Sequence, residues 1–352
     1  MPYRNECFTY LKSKIWLFLY IVVFMLPSGF AFAQQTPIDN GIAYLRSTQS
    51  TNGSWGGTST SLNTIRQTTT TAARPFQILG ITAPTLTNAI NFLSTQTPNT
   101  VDDLAQQLEA LAASGTAVSA QVDTLKAAQQ TDGGWALDLD QTFKSEVIDT
   151  VSALRALRVA DAADNTTASK ALNFLIANQN TDGGWGLGKD KPSKVFYTAL
   201  TLLMLKDFQT TFSLNTSLNA ASNYLVNQQN TNGSFGAPLG TTFETALVLQ
   251  AMLRNVVDPA KVSKAVAYLT ATQAANGSWA DDPYSTALVI RALNDTTFVG
   301  QDIDNDGDGF TERQGDCNDS NAGIFPGALD FDVNGVDENC NGIDGPPIGE
   351  VD

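Results

Sequence analysis

From residue 34 to about residue 300 the apolar positions recur at spacings of three and four, and nothing alternates with period two, so the pattern predicts helices and no strands. Two kinds of stripe take turns. The first, as in Ala171, Leu172, Phe174 and Leu175, stops at an Asn-Gly or Asp-Gly pair suited to ending a helix with a left-handed residue. The second, as in residues 147–157, 196–205, 243–253 and 284–293, is richer in Ala and Leu and poorer in charge. Paired helices are expected, the second kind forming an inner wall and the first lying outside it.

Between the two stripes of each pair a motif recurs. A glutamine is followed six residues later by an aromatic ring, with Gly-Gly or Gly-Ser just before the ring: Gln49 and Trp55, Gln129 and Trp135, Gln179 and Trp185, Gln229 and Phe235, Gln273 and Trp279. Fixed spacing in repeated copies means an array of similar units. The long gap between the first two copies holds a sixth, degenerate unit, in which residues 91–96 approach a glutamine but run into Pro98 and lose the ring. A glutamine at the end of an outer helix can bond backbone groups at a neighbouring helix terminus, which makes the motif a brace between units. Rings lining a ligand site are the competing reading.

At these residues the chain resembles the prenyltransferase and squalene cyclase superfamily and its glutamine–tryptophan repeat, over about Pro37 to Asn294. The resemblance implies an all-α fold, an alpha/alpha toroid of about six helical hairpins with inner and outer rings. It does not imply one activity, because enzymes and binding proteins share that barrel. Triterpene cyclases of this superfamily protonate their substrate with the middle aspartate of Asp-x-Asp-Asp-Thr-Ala. In the hexads 146–151, 194–199, 241–246 and 282–287 that place holds Ile148, Phe196, Phe243 and Tyr284, none of them an acid. Prenyltransferase subunits hold zinc on Asp, Cys and His, and this chain has no histidine, so no zinc is expected. Should the barrel be an enzyme, Glu146, Asp149 and Glu244 are its candidate acids, and Tyr197 and Tyr284 are candidate ligand contacts. Helix capping by Asp149 and Glu244 is the plainer alternative.

The two ends of the chain differ from its middle. Arg4, Lys12 and Lys14 precede an apolar run and Ala31-Phe-Ala33, which reads as a signal peptide covering residues 1–33, with an uncleaved anchor as the alternative. Export leaves Cys317 and Cys340 as an even pair in an oxidising compartment, where a disulfide is expected. Residues 301–352 hold fourteen acidic residues against Arg313 alone, most of the chain's net charge of -15, while residues 34–300 are close to neutral. A near-neutral repeat region disfavours nucleic acid as a partner.

Within that acidic segment Asp304, Asp306 and Asp308 alternate and end in glycines, with Glu312 and Asp316 beyond them. Convergent carboxylates suit Ca2+, although the spacing departs from an EF-hand and a merely solvated linker is the other reading. From Asp304 to Asp344 the series resembles the MopE-type metal-binding repeat of secreted bacterial proteins. The sequence thus predicts a leader (1–33), a toroid (34–300) and a metal module (301–352), exported to the periplasm, cell surface or medium. Its expected role is to bind a small apolar ligand or a protein partner without chemistry, with a divergent cyclase- or lyase-like enzyme as the alternative.

Overall fold

A computed structural model describes residues 31–56, 59, 61–82, 84–236, 239–254 and 259–296, and in the acidic segment 317–318, 321–330, 333–340 and 344–345; side chains are described from residue 36. Among these residues there are twelve helices and no strand: α1 (Ala31–Thr48), α2 (Leu62–Ile78), α3 (Thr85–Ser94), α4 (Val101–Ala112), α5 (Ser119–Ala127), α6 (Val147–Val159), α7 (Asn165–Ala177), α8 (Val195–Lys206), α9 (Asn215–Asn227), α10 (Thr242–Leu253), α11 (Pro259–Ala271) and α12 (Pro283–Thr296). None is long and apolar enough to cross a membrane.

The even-numbered helices form a closed ring: each packs on the next, and α12 returns to α2. The odd-numbered helices lie outside them, with α1 seated against α12. Several helix starts follow from their cap residues. Ser61, Thr100, Asp164 and Thr241 each accept a bond from the backbone N–H three residues on, filling a donor that the first turn leaves open.

The repeated motif does three jobs at once. The glutamine amide donates to the carbonyl of the glycine four residues on, and also to a carbonyl in the first turns of a neighbouring outer helix. Gln49 reaches Thr85, Gln129 reaches Thr167, Gln179 reaches Ser217, Gln229 reaches Lys261, and Gln273 reaches Pro37 on α1, which closes the circle. Each tryptophan is fully buried, its indole N–H donating to the leucine carbonyl ten residues earlier on its own outer helix. Each ring's backbone N–H donates to a threonine hydroxyl on the inner helix that follows: Thr69, Thr150, Thr198, Thr245 or Thr286. The rings are therefore structural, and the brace reading holds.

The first glycine of each motif is required twice over. Gly183 has φ +88°, and a Cβ there would lie 2.4 Å from the Ala220 carbonyl oxygen on α9; Gly53, Gly133, Gly233 and Gly277 repeat this geometry on their own neighbours. The turn brings the backbones of neighbouring units closer than any side chain permits.

The ringless unit is held by substitutes. Gln107 on α4 donates to the Leu93 carbonyl at 2.7 Å, the counterpart of the carbonyls that indoles take elsewhere, and to the Gln96 carbonyl at 2.8 Å. Arg66 on α2 pairs with Asp103 on α4 at 2.9 Å, the two side chains only 5% and 3% exposed, and donates to the Thr97 carbonyl. Gln96 itself only bonds back to Phe92 and Thr95, so it is not the bridging residue that the six-unit pattern suggests.

Candidate functional site

All inner helices begin at the motif end of the barrel, so the threonine that receives each ring's N–H gives a common register. Two residues before it lie Gln67 on α2, Ile148 on α6, Phe196 on α8 and Tyr284 on α12, and all four line a central cavity of about 270 Å³. On α10 this place is Phe243, whose ring packs on Phe196 at 6.0 Å. Helix α4 has no such threonine. Counting from its cap, Thr100, as from the cap Glu146 of α6, puts Leu104 at the threonine level and Asp102 two before it. Residues 100–105 are thus a further hexad, and its third place is an aspartate that lines the cavity. This corrects the expectation that no hexad carries an acid there. Asp102 accepts a 2.5 Å bond from the Gln106 amide on its own helix. Its neighbour Asp103 turns away to Arg66 and is structural.

The candidate acids separate. Glu244 accepts from the Thr241 hydroxyl at 2.9 Å, and its backbone N–H donates to that same oxygen, so it belongs to the start of α10. Glu146 is the cap residue of α6 but makes no side-chain cap bond. Asp149, in the first turn of α6, is buried at 4% exposure. Burial, reinforced by the charges of Asp102 and Glu146, raises its carboxyl to about 7. A carboxyl placed so sits partly protonated at neutral pH beside one that lines the cavity. Tyr197 and Tyr284 both border the cavity, and burial pushes each phenol up.

The opposite end of the cavity is cationic. Five residues beyond the threonine level stand Arg74, Arg155 and Arg291, with Glu109, Gln250 and Leu203 at the same level on α4, α10 and α8. Helical rise sets this ring roughly 10 Å below the level of Asp102. Glu109 bonds Arg155 at 2.8 Å and lies 3.8 Å from Arg74. Burial alone would raise the Glu109 carboxyl, but Arg155, Arg74 and Arg291 together hold it below the ordinary range. Burial and the nearby Arg74 and Arg155 bring Arg291 down to about 10, Glu109 offsetting them only in part. Arg158 and Arg254 share Asp207 at 3.0 and 2.7 Å. Between the two ends the wall is mixed, with Val151, Leu200, Leu247 and Leu288 beside Thr70, Thr71, Gln106 and Ser152.

The acidic segment forms a second candidate site. Cys317 and Cys340 are joined by a disulfide, which fits an extracytoplasmic protein. Asp330, Glu338 and Asp344 present carboxylate oxygens within 4.8 Å of one another. Asp344 accepts from the backbone of Asn334 and Gly335, Glu338 from the Asn334 amide, and Asp330 from the Gly345 N–H. One oxygen of Asp330 and one of Glu338 are buried and without a partner. Burial and the adjacent carboxylates push Asp330 up. An all-oxygen set with spare buried acceptors fits a hard cation. Asp304, Asp306, Asp308, Glu312 and Asp316, the ligands expected from sequence, lie outside the described residues. The cluster that is described was overlooked because its members are spread along the chain and follow no alternating pattern.

Comparison with known proteins agrees with both halves. Residues 86–243 match the family described as "Prenyltransferase alpha-alpha toroid domain", and residues 316–345 match the MopE family described as "Putative metal-binding motif". No curated protein matches. Among solved structures, the type II terpene cyclase MstE from Scytonema is 18% identical with a TM-score of 0.60, covering 75% of this chain and 98% of that one. ent-Copalyl diphosphate synthase from Streptomyces platensis is 21% identical with a TM-score of 0.51, covering 67% of this chain and 50% of that one. A possible member of the GH105 family from Klebsiella pneumoniae is 15% identical with a TM-score of 0.55, covering 77% and 95%. At such identities the likeness is one of fold.

Proposed function

We propose that the toroid is a ligand-binding chamber of an exported protein. Its leader would be residues 1–33, its barrel residues 34–300 and its metal module residues 301–352. The observation that carries this reading is the central cavity bounded by all six inner helices, with Val151, Leu200, Leu247 and Leu288 among polar residues along its wall and charged residues at both ends. Its volume of about 270 Å³ is just below the range of about 300–1,000 Å³ usual for small-molecule pockets. A volume so small, ending in arginines, argues against folding a long polyene through carbocations. The test uses small amphiphiles in thermal-shift measurements. At least one should raise the melting temperature of the full chain but not of Leu200→Trp, whose indole would occupy the cavity; equal effects on both would refute the reading.

One observation favours a second reading, acid catalysis: Asp102 lines the cavity in the place where the resembling cyclases carry their acid, with the near-neutral carboxyl of Asp149 close by. A carboxylic acid positioned at the cavity is suited to proton donation, and the shifted carboxyl of Asp149 stands beside Asp102 and not in the cavity wall. This reading expects turnover of squalene or a prenyl diphosphate that is lost in Asp102→Asn. The binding reading expects no product from either. In the module, the carboxylates of Asp330, Glu338 and Asp344 support Ca2+ as the ion. Copper is disfavoured because the chain has no imidazole and the two cysteines are joined.

A further inference from the structure

Partly buried cations that face a cavity need a reason, because taking a guanidinium out of water is costly unless an anion meets it. Arg74, Arg155 and Arg291 share the single carboxylate of Glu109, and Arg158 and Arg254 share the single carboxylate of Asp207. The three guanidinium groups at the arginine level meet Glu109 and, at Arg291, Asp295, so positive charge is still in excess there, while Arg158 and Arg254, 43% and 47% exposed, stand where solvent reaches them. No acidic lining residue beyond Glu109 and Asp207 offsets that excess: the third, Asp102, stands at the far end.

The hydrogen-bonding inventory points the same way. Gln250 is 3% exposed, and its amide nitrogen is buried without an acceptor. The Nε of Arg291 and the Nε of Arg74 are likewise buried without a hydrogen bond. These donors come from α10, α12 and α2, and all three residues line the cavity. Arg155, in contrast with its depth in the barrel, presents 36% of its side chain as accessible surface, and that surface borders the cavity. The three unpartnered atoms are themselves covered, so the surface offered to the cavity is that of the guanidinium groups, Arg155 above all, and such a surface with excess positive charge suits oxygen atoms bearing negative charge.

We propose that this arginine ring holds the anionic head group of a small amphiphile, a carboxylate, whose apolar body lies along Ile148, Leu247 and Leu288 towards Asp102. The inference deepens the binding-chamber reading and rests on it, while requiring no catalysis. Charge favours one orientation, because a head group at the other end would meet Asp102, with Glu146 and Asp149 nearby.

The test is calorimetric titration of the full chain with octanoate, octanol and inorganic phosphate. Octanoate should bind at least tenfold more tightly than octanol, and more tightly than phosphate, which carries charge without an apolar body. Arg291→Met and Arg74→Met should each weaken octanoate tenfold or more and leave octanol unchanged. Arg291→Met relieves repulsion from Arg74 and Arg155, so it should fold at least as stably as the parent; Arg74→Met gives the same readout from a less buried position. Octanol binding as tightly as octanoate, or unchanged octanoate affinity in both variants, would overturn the anion site alone. Phosphate binding as tightly as octanoate would show a site for a bare inorganic ion and overturn the amphiphile. If neither octanoate nor octanol binds, the chamber reading falls together with this one.

Discussion

A carboxyl buried beside two other carboxylates sets its own pH dependence. Asp149 is raised by burial, Asp102 and Glu146 to about 7 in the folded protein, against 3.8 for an unperturbed aspartate. The folded state therefore holds a proton that the unfolded chain has already released. This group's contribution to stability is most favourable below about pH 4, falls as pH rises through the window up to about 7, and is level above it. Each pH step of one across that window removes about 1.4 kcal/mol, so the whole loss is at most about 4 kcal/mol. Asp149→Asn should match the parent in urea unfolding near pH 4 and exceed it by up to about 4 kcal/mol at pH 8; a variant no more stable at pH 8 would show that the carboxyl titrates normally. The importance of Asp149 was legible as a residue type near the start of an inner helix. Its burial was not, because that depends on where a side chain turns, which spacing does not reveal; for Glu244 the capping reading of the sequence agrees with its bond to Thr241 at the start of α10.

At the scale of the helix pair, five units were legible because each repeats the same glutamine, glycine and ring, and the bonds they make are nearly superposable. The remaining unit shows what such legibility depends on. Having lost its ring, it also lacks the threonine that receives a ring's N–H, so the marker that aligns the inner helices is gone. Asp102 was hidden for that reason, although Asp102-Asp103 stands directly before Leu104 and Ala105 in plain sequence. The substitutes, Gln107, Arg66 and Asp103, come from inner helices and bear no resemblance to the motif they replace. If Gln107 does the work of an indole, Gln107→Leu orphans the Leu93 and Gln96 carbonyls and should cost about 1–3 kcal/mol for each. Gln96→Leu, which removes only bonds within its own turn, should cost less than about 1 kcal/mol. Chemical denaturation of the two variants compares them directly, and equal losses would assign the brace to the wrong glutamine.

For the molecule as a whole, the ring of inner helices closes through the Gln273 bond to Pro37, and the cavity exists because that ring is closed. The charged level of Arg74, Arg155 and Arg291 could not be read from the chain. The three residues come from distant units, and they share a level only once the threonines have been aligned. The acidic segment divides similarly: its metal-binding character was legible from composition, while the grouping of Asp330, Glu338 and Asp344 required the chain to fold around the Cys317–Cys340 bond. Calorimetry of the full chain should show Ca2+ binding that weakens at least tenfold in Glu338→Gln, with Cu2+ binding no more tightly than Ca2+; affinity indifferent to Glu338, or a preference for Cu2+, would reassign the site. The central claim, that the barrel encloses a ligand chamber with an anion-seeking end, is tested most directly by crystallising the full chain with an ω-bromo-octanoate and mapping the bromine anomalously. The account predicts one bromine peak inside the ring of inner helices, nearer Asp102 than Arg291, with the carboxylate among the arginines. A barrel packed shut, or a chamber without bromine while the compound is bound elsewhere, would contradict it.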